Sequence, residues 1–116
     1  KSIHTPGHTP GSTCYYVGDK LIAGDTLFVF GCGRCDLHGG NPEEMFETLK
    51  NLKSSLDKNT IILPGHDYSV KKESTMEEQV TGNPFMHFQD LNKFTEYRMS
   101  THDKIRVSPY DAIYKT

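Results

Sequence analysis

No stretch of the 116-residue chain approaches the roughly 20 consecutive apolar residues that crossing a bilayer requires, and no charged-then-apolar leader resembles a signal peptide. These absences predict a soluble, cytoplasmic protein with no membrane partner. Basic charge is not in excess: 13 Lys and Arg stand against 15 Asp and Glu, for a formal net charge of -2. No basic block carries interleaved aromatics, which argues against nucleic acid as a partner. Cysteine is scarce and odd in number. Cys14, Cys32 and Cys35 do not make a disulfide scaffold, in keeping with a reducing compartment. An initiator methionine is also missing: Lys1 opens the chain and a histidine motif follows at once, so residues 1–116 are expected to be a single fragment that begins inside a larger fold. What is present, 34% hydrophobic and 24% charged residues, is ordinary for one globular domain or part of one.

Local patterns predict alternating elements. Ser12 to Val17 is a β-branched and aromatic run, Gly18-Asp19 a turn dipeptide and Lys20 to Ala23 a second apolar run, together a hairpin. Asn41-Pro42-Glu43-Glu44 supplies an N-cap, a proline suited to the first turn and two acids beside the positive end of a helix dipole. Met45, Phe46, Leu49, Leu52 and Leu56 then recur at helical steps and form one stripe ending near Asp57. Thr60 to Leu63, stopped by Pro64-Gly65, suits a strand buried on both faces. A short helix is expected from Ser74 to Val80, a break at Asn83-Pro84, and a last helix capped by Asp90 through Leu91, Phe94, Tyr97 and Arg98. The tail from Thr101 shows no period.

Three segments share one design, a strand running into a glycine-containing turn that presents a potential ligand: His4 to Ser12 (HTPGHTPGS), Gly24 to Phe28 (GDTLF) and Leu63 to Tyr68 (LPGHDY). Glycine lets backbone approach an ion closely and proline stiffens the loop that aims the imidazole. Imidazole and carboxylate suit zinc, and also iron. Taken singly, a histidine reads as a surface or hydrogen-bonded residue and an Asp after Gly as a turn residue. The ordered set of three reverses that balance.

HTPGHTPGS, GDTLF and PGHDY resemble the later three motifs of the metallo-β-lactamase fold, in family order. The resemblance implies an α/β architecture, the C-terminal half of an αββα sandwich with a mixed sheet flanked by helices. It also implies that His8 binds a first metal, His66 a second, and Asp25 bridges both, while His4 shapes its loop. The family's first ligand cluster, a His-x-His-x-Asp-His run, occurs nowhere in the chain. Each of two zinc ions would therefore find only two ligands here, where catalytic sites take at least three, and residues 1–116 alone are predicted not to hydrolyse substrate.

Gly31 to Gly40 (GCGRCDLHGG) is similar to the glyoxalase II and persulfide dioxygenase branches. Arg34 stands at a glutathione-gripping lysine position, Asp36 at a tyrosine position, and Tyr68 matches a second glutathione-contacting tyrosine. The helical insertion that glyoxalase II carries after that tyrosine is absent, and Asn83 to Met99 (NPFMHFQDLNKFTEYRM) most resembles zinc-dependent hydrolases of bacterial polyketide biosynthesis. The resemblance implies a thioesterase of the larger protein acting on small-molecule or carrier-protein-bound thioesters, with Arg34 gripping an anionic thiol arm and Tyr68 contacting substrate. Two alternatives remain: a mononuclear iron enzyme like persulfide dioxygenase, and a non-catalytic fragment whose strands, apolar on both faces, drive homodimerisation or pairing with an N-terminal half. Cys32 and Cys35 form a C-x-x-C without a second pair, and are read as packed thiols. Phe28, Phe30, Met86, Phe88 and Phe94 are candidates for an acyl pocket, although such residues are more often core.

Overall fold

A computed structural model describes residues 1–106 and 108–114. Seven strands form in chain order: β1 (Ser2–His4), β2 (Thr13–Val17), β3 (Lys20–Gly24), β4 (Leu27–Phe28), β5 (Gly31–Cys32), β6 (Ile61–Pro64) and β7 (Ser74–Thr75). Five make one sheet in the order β1-β2-β3-β6-β7, while β4 and β5 pair separately. The predicted hairpin is there, with Tyr15 opposite Ile22 and Val17 opposite Lys20 across a turn in which Gly18 adopts φ 62°. β3 and β6 are parallel, pairing Leu21 with Ile62 and Ile22 with Leu63. A parallel pair needs a crossover, and helix α1 (Pro42–Ser55) supplies it.

α1 starts where its cap residues place it: the Asn41 side chain accepts from the Glu44 amide at 3.2 Å. Its buried stripe of Met45, Phe46, Leu49 and Leu52 joins one core cluster with Cys14, Leu21, Ala23 and Ile62. The same cluster takes in Phe85, Met86 and Phe94 from the C-terminal segment, so these side chains are core rather than pocket, and Phe88 packs partly buried against them.

Among the described residues, the sheet is covered on one face only. Alternation sends Cys14, Leu21 and Ile62 inward, and on the other face Tyr15, Val17 and Ile22 are 51%, 60% and 46% exposed. β6 corrects the expectation of a strand buried on both faces: Ile62 is fully buried, but Ile61 and Leu63 are half-buried, because nothing among the described residues packs over that side.

The C-terminal segment departs further from expectation. Ser74 and Thr75 pair with β6, and Thr75 forms a capping box with Glu78, so α2 spans Met76–Gly82 rather than beginning at Ser74. A 3₁₀ turn, Pro84–Met86, follows. α3 (Leu91–Glu96) is capped by Asp90, as predicted, but continues through a wide π turn at Tyr97–Thr101 into α4 (His102–Ile105). The wider turn breaks the 3.6-residue period, and its inward positions are Arg98 and His102 rather than apolar residues, which hid the continuation. No described helix is long and apolar enough to cross a membrane.

Candidate functional site

His8, Asp25 and His66 sit on three loops that meet beyond β1, β3 and β6, and the last two loops leave the C-terminal ends of parallel neighbours. Such a strand edge is where α/β sheets commonly place ligands. The His8 loop is pinned at several points: His4 Nε2 donates to the Pro10 carbonyl at 2.7 Å, Thr48 Oγ1 donates to the Pro6 carbonyl at 2.7 Å, and the Asn41 amide donates to the Gly7 carbonyl at 2.8 Å. His4 thus shapes the loop by its bond to Pro10.

Asp25 is the centre of the group. Its Oδ1 lies 2.8 Å from His66 Nδ1 and its Oδ2 3.7 Å from His8 Nε2. His8 Nδ1 lies 2.8 Å from the Arg34 carbonyl. A carbonyl can only accept, so Nδ1 carries the proton and a neutral His8 leaves Nε2 bare toward Asp25. Two glycines make room for this arrangement. A Cβ on Gly33 would lie 2.0 Å from the Asp25 carbonyl oxygen and 3.0 Å from His8 Cβ, and one on Gly65 would lie 2.9 Å from Asp25 Oδ1. The side chains are open to solvent, His8 at 20%, Asp25 at 41% and His66 at 48%.

Tyr68 stacks on His66 with ring centroids 4.9 Å apart and planes 2° from parallel, and Phe28 meets both rings edge-on. Arg34 and Asp36 form a two-pronged ion pair, Nε and Nη2 each 2.7 Å from a carboxylate oxygen, which holds the Asp36 carboxyl down at about 2. Arg34 therefore touches the trio through its carbonyl, while two of its guanidinium donors are engaged by Asp36. Cys32 and Cys35 are buried, and burial pushes their thiols up to about 11 and about 12. Neither is a ready thiolate, in line with packed cysteines.

Among the described residues, no three or more His, Cys, Asp or Glu side chains close around a point as a cage for one ion would. The trio is instead a row with a carboxylate in the middle. Its chemistry fits one cation on either side of Asp25, each with a histidine and a share of the carboxylate, and it lacks the further ligands that a catalytic zinc takes. Tyr110 was not foreseen beside this group. Its amide donates to the Tyr68 carbonyl at 2.7 Å and its carbonyl accepts from the Val70 amide at 2.9 Å, which ties the tail to the loop after His66. The tail has no period that could have announced it.

The family description of the metallo-beta-lactamase superfamily matches residues 1–66. The chain belongs to that superfamily. Its mixed sheet with helices on one face corresponds to part of the family's sandwich, as predicted. A probable polyketide biosynthesis zinc-dependent hydrolase, BaeB of Bacillus velezensis, is 35% identical over 104 residues, covering 90% of this chain and 46% of its own length. A probable hydroxyacylglutathione hydrolase of Encephalitozoon cuniculi is 34% identical over 109 residues, covering 93% of this chain and 40% of its own. ETHE1 from Myxococcus xanthus superposes with a TM-score of 0.79 at 32% identity, over 84% of this chain and 44% of the other. The chain thus spans less than half the length of the relatives it matches.

Proposed function

We propose that this metallo-hydrolase stretch supplies one side of a two-metal site in a larger protein that hydrolyses thioesters, of the acyl-carrier or glutathione type, and that residues 1–116 alone do not turn substrate over. The observation that carries the reading is the Asp25 carboxylate set between His8 and His66, with one oxygen directed to each. His8 would hold one cation through Nε2, His66 the other, and Asp25 would span the two. Zinc is the cation that these donors suit, with iron as the alternative. Such a pair, when bound, lowers the pKa of a water and polarises the thioester carbonyl.

The chain's own residues bind and orient. Tyr68, 47% exposed and stacked on His66, offers a wall for the thioester arm. Arg34 meets an anionic thiol arm by exchanging Asp36 for it, since an exposed ion pair is screened by water and readily exchanged. The open face bearing Tyr15, Val17 and Ile22 is the proposed seat of the remaining half of the protein or, in its absence, of a second copy. The test is thiol release from S-acyl glutathione and from acyl N-acetylcysteamine by the zinc-loaded larger protein. Activity that disappears in Asp25→Asn, together with none from residues 1–116, supports the proposal, and no thiol release from either substrate refutes it.

A second reading, a mononuclear iron enzyme like persulfide dioxygenase, is favoured by the GCGR segment followed by Asp36 and by the close superposition on ETHE1. Metal analysis of the larger protein separates the two. Two zinc ions fit the hydrolase and one iron the dioxygenase.

A further inference from the structure

β4 and β5 are joined by a turn at residues 29–30, and part of the backbone from Phe30 through β5 is bonded by side chains from outside this hairpin. Phe30 stands at φ 62°, the left-handed region that a residue with a Cβ seldom occupies. One backbone group in each of three successive residues, Phe30 to Cys32, is met by a buried polar side chain from the C-terminal helical segment. The Phe30 amide donates to Gln79 Oε1 at 2.9 Å, Asn83 Nδ2 donates to the Gly31 carbonyl at 3.0 Å, and Arg98 Nη1 donates to the Cys32 carbonyl at 2.9 Å. Gln79 and Asn83 are 0% exposed and Arg98 is 5% exposed.

The three side chains are themselves locked. Asn83 Nδ2 also donates to Gln79 Oε1 at 3.0 Å, Asn83 Oδ1 accepts from the Phe85 amide at 3.1 Å, and the Arg98 guanidinium lies 4.7 Å over the Phe85 ring. Core packing alone would favour apolar residues at these positions, because buried amides and a buried guanidinium are costly unless they meet partners. Gln79 Nε2 and Arg98 Nε indeed find none. Each of the three nevertheless spends one bond on residues 30–32, while Asn83 also serves the Phe85 amide and Arg98 Nη2 lies 3.4 Å from Asp103 Oδ1.

From that turn the chain leads directly to the candidate site. The Gly33 amide donates to the Thr26 carbonyl at 3.1 Å, Gly33 packs against His8 and the Asp25 carbonyl, and the next carbonyl, that of Arg34, receives His8 Nδ1. We propose that Gln79, Asn83 and Arg98 are positioning residues for His8: by holding the Phe30–Cys32 backbone they place the Arg34 carbonyl, which sets the tautomer of His8 and turns bare Nε2 toward Asp25. The consequence for metal binding rests on the proposed function. The tautomer does not.

The test is long-range 1H–15N NMR of the imidazoles in the metal-free 116-residue chain, in mildly alkaline buffer. His8 is expected as the Nδ1–H form. In Asn83→Asp and Arg98→Met it is expected to lose that form in favour of a mixture, whereas Arg98→Lys, which keeps one donor for the Cys32 carbonyl, retains it. His4, whose ring is bonded to the Pro10 carbonyl within the His8 loop and not to the Arg34 carbonyl, is the internal control and stays unchanged. A variant that merely loosened the fold would move His4 and the core signals as well. Should His8 be Nε2–H in the unaltered chain, or stay Nδ1–H in both disruptive variants with the core spectrum intact, the positioning role is wrong.

If those variants do not fold, hydrogen exchange in the unaltered chain decides. The Phe30 amide should exchange on the order of a hundredfold more slowly than an unprotected amide, and exchange at the unprotected rate overturns the proposal. Titration with zinc alone then separates this inference from the functional reading. The variants should weaken the zinc response of His8 by about tenfold to a hundredfold. An unaltered chain whose histidines ignore zinc contradicts the metal reading, while the tautomer still decides the positioning.

Discussion

The two faces of the five-stranded sheet carry similar residues and meet opposite fates. On one, Cys14, Leu21, Ala23 and Ile62 lie under α1 and the C-terminal helices and are almost wholly out of solvent. On the other, Tyr15, Val17 and Ile22 are about half exposed, with Ile61 and Leu63 half-buried beside them. Strand alternation places apolar side chains on both sides, and only the covered side gains their burial, at about 25 cal/mol per Å². The covered face accounts for stability, and the open face is the one proposed above to seat more protein. The candidate site lies at the strand edge between them, where His8, Asp25 and His66 are open to solvent.

The largest contrast should come from truncating the covered face. Leu52→Ala, at a site 1% exposed, should cost about 2–5 kcal/mol in urea unfolding. A loss under about 1 kcal/mol would mean that α1 is not the element closing that face.

Next comes a titration. His102 is packed against Phe85, Tyr97 and Tyr110, with Arg98 beside it and Asp103 opposing, and burial first and Arg98 second pull its pKa down to about 4. An unfolded histidine titrates near 6.5, so between pH 6.5 and about 4 the unfolded state holds the extra proton. Stability should therefore fall as pH drops through that window, by an amount on the order of 2 kcal/mol, and level off below it. Urea unfolding of His102→Gln should show a flatter profile there, and an unchanged slope would remove His102 as the cause.

Smaller still is the cap. Asn41→Ala should lower stability by about 1 kcal/mol, read in the same unfolding assay, while its backbone amide keeps the bond to the Gly7 carbonyl. On the open face, Ile22→Thr should change stability by no more than about 0.5 kcal/mol yet reduce self-association in sedimentation at tens of micromolar. Equal costs for Ile22→Thr and Leu52→Ala would erase the distinction between the faces.

Much of this was legible in residues that act locally. The Asn41 cap and its stripe gave α1, Gly18-Asp19 gave the hairpin, and Asp90 gave the start of α3. His8, Asp25 and His66 were legible as a set because each follows a strand and a glycine turn. What was hidden depends on distant partners. β1 is three residues long and exists by pairing with β2, and β4 and β5 are two residues each. Gln79, Asn83 and Arg98 read only as part of a short helix, a chain break and the end of the last helix, and only the tertiary fold brings them under the Phe30 turn. The one available signal was Arg98 itself, a charge in step with Leu91 and Phe94.

The central claim, that His8, Asp25 and His66 converge to share cations, is tested most directly by titrating the 116-residue chain with zinc while following each histidine ring by NMR. The account predicts that His8 and His66 shift together, that His4 and His87 do not, and that Asp25→Asn removes the joint response. Separate responses of His8 and His66, or a joint response that survives the loss of the Asp25 carboxylate, would contradict it.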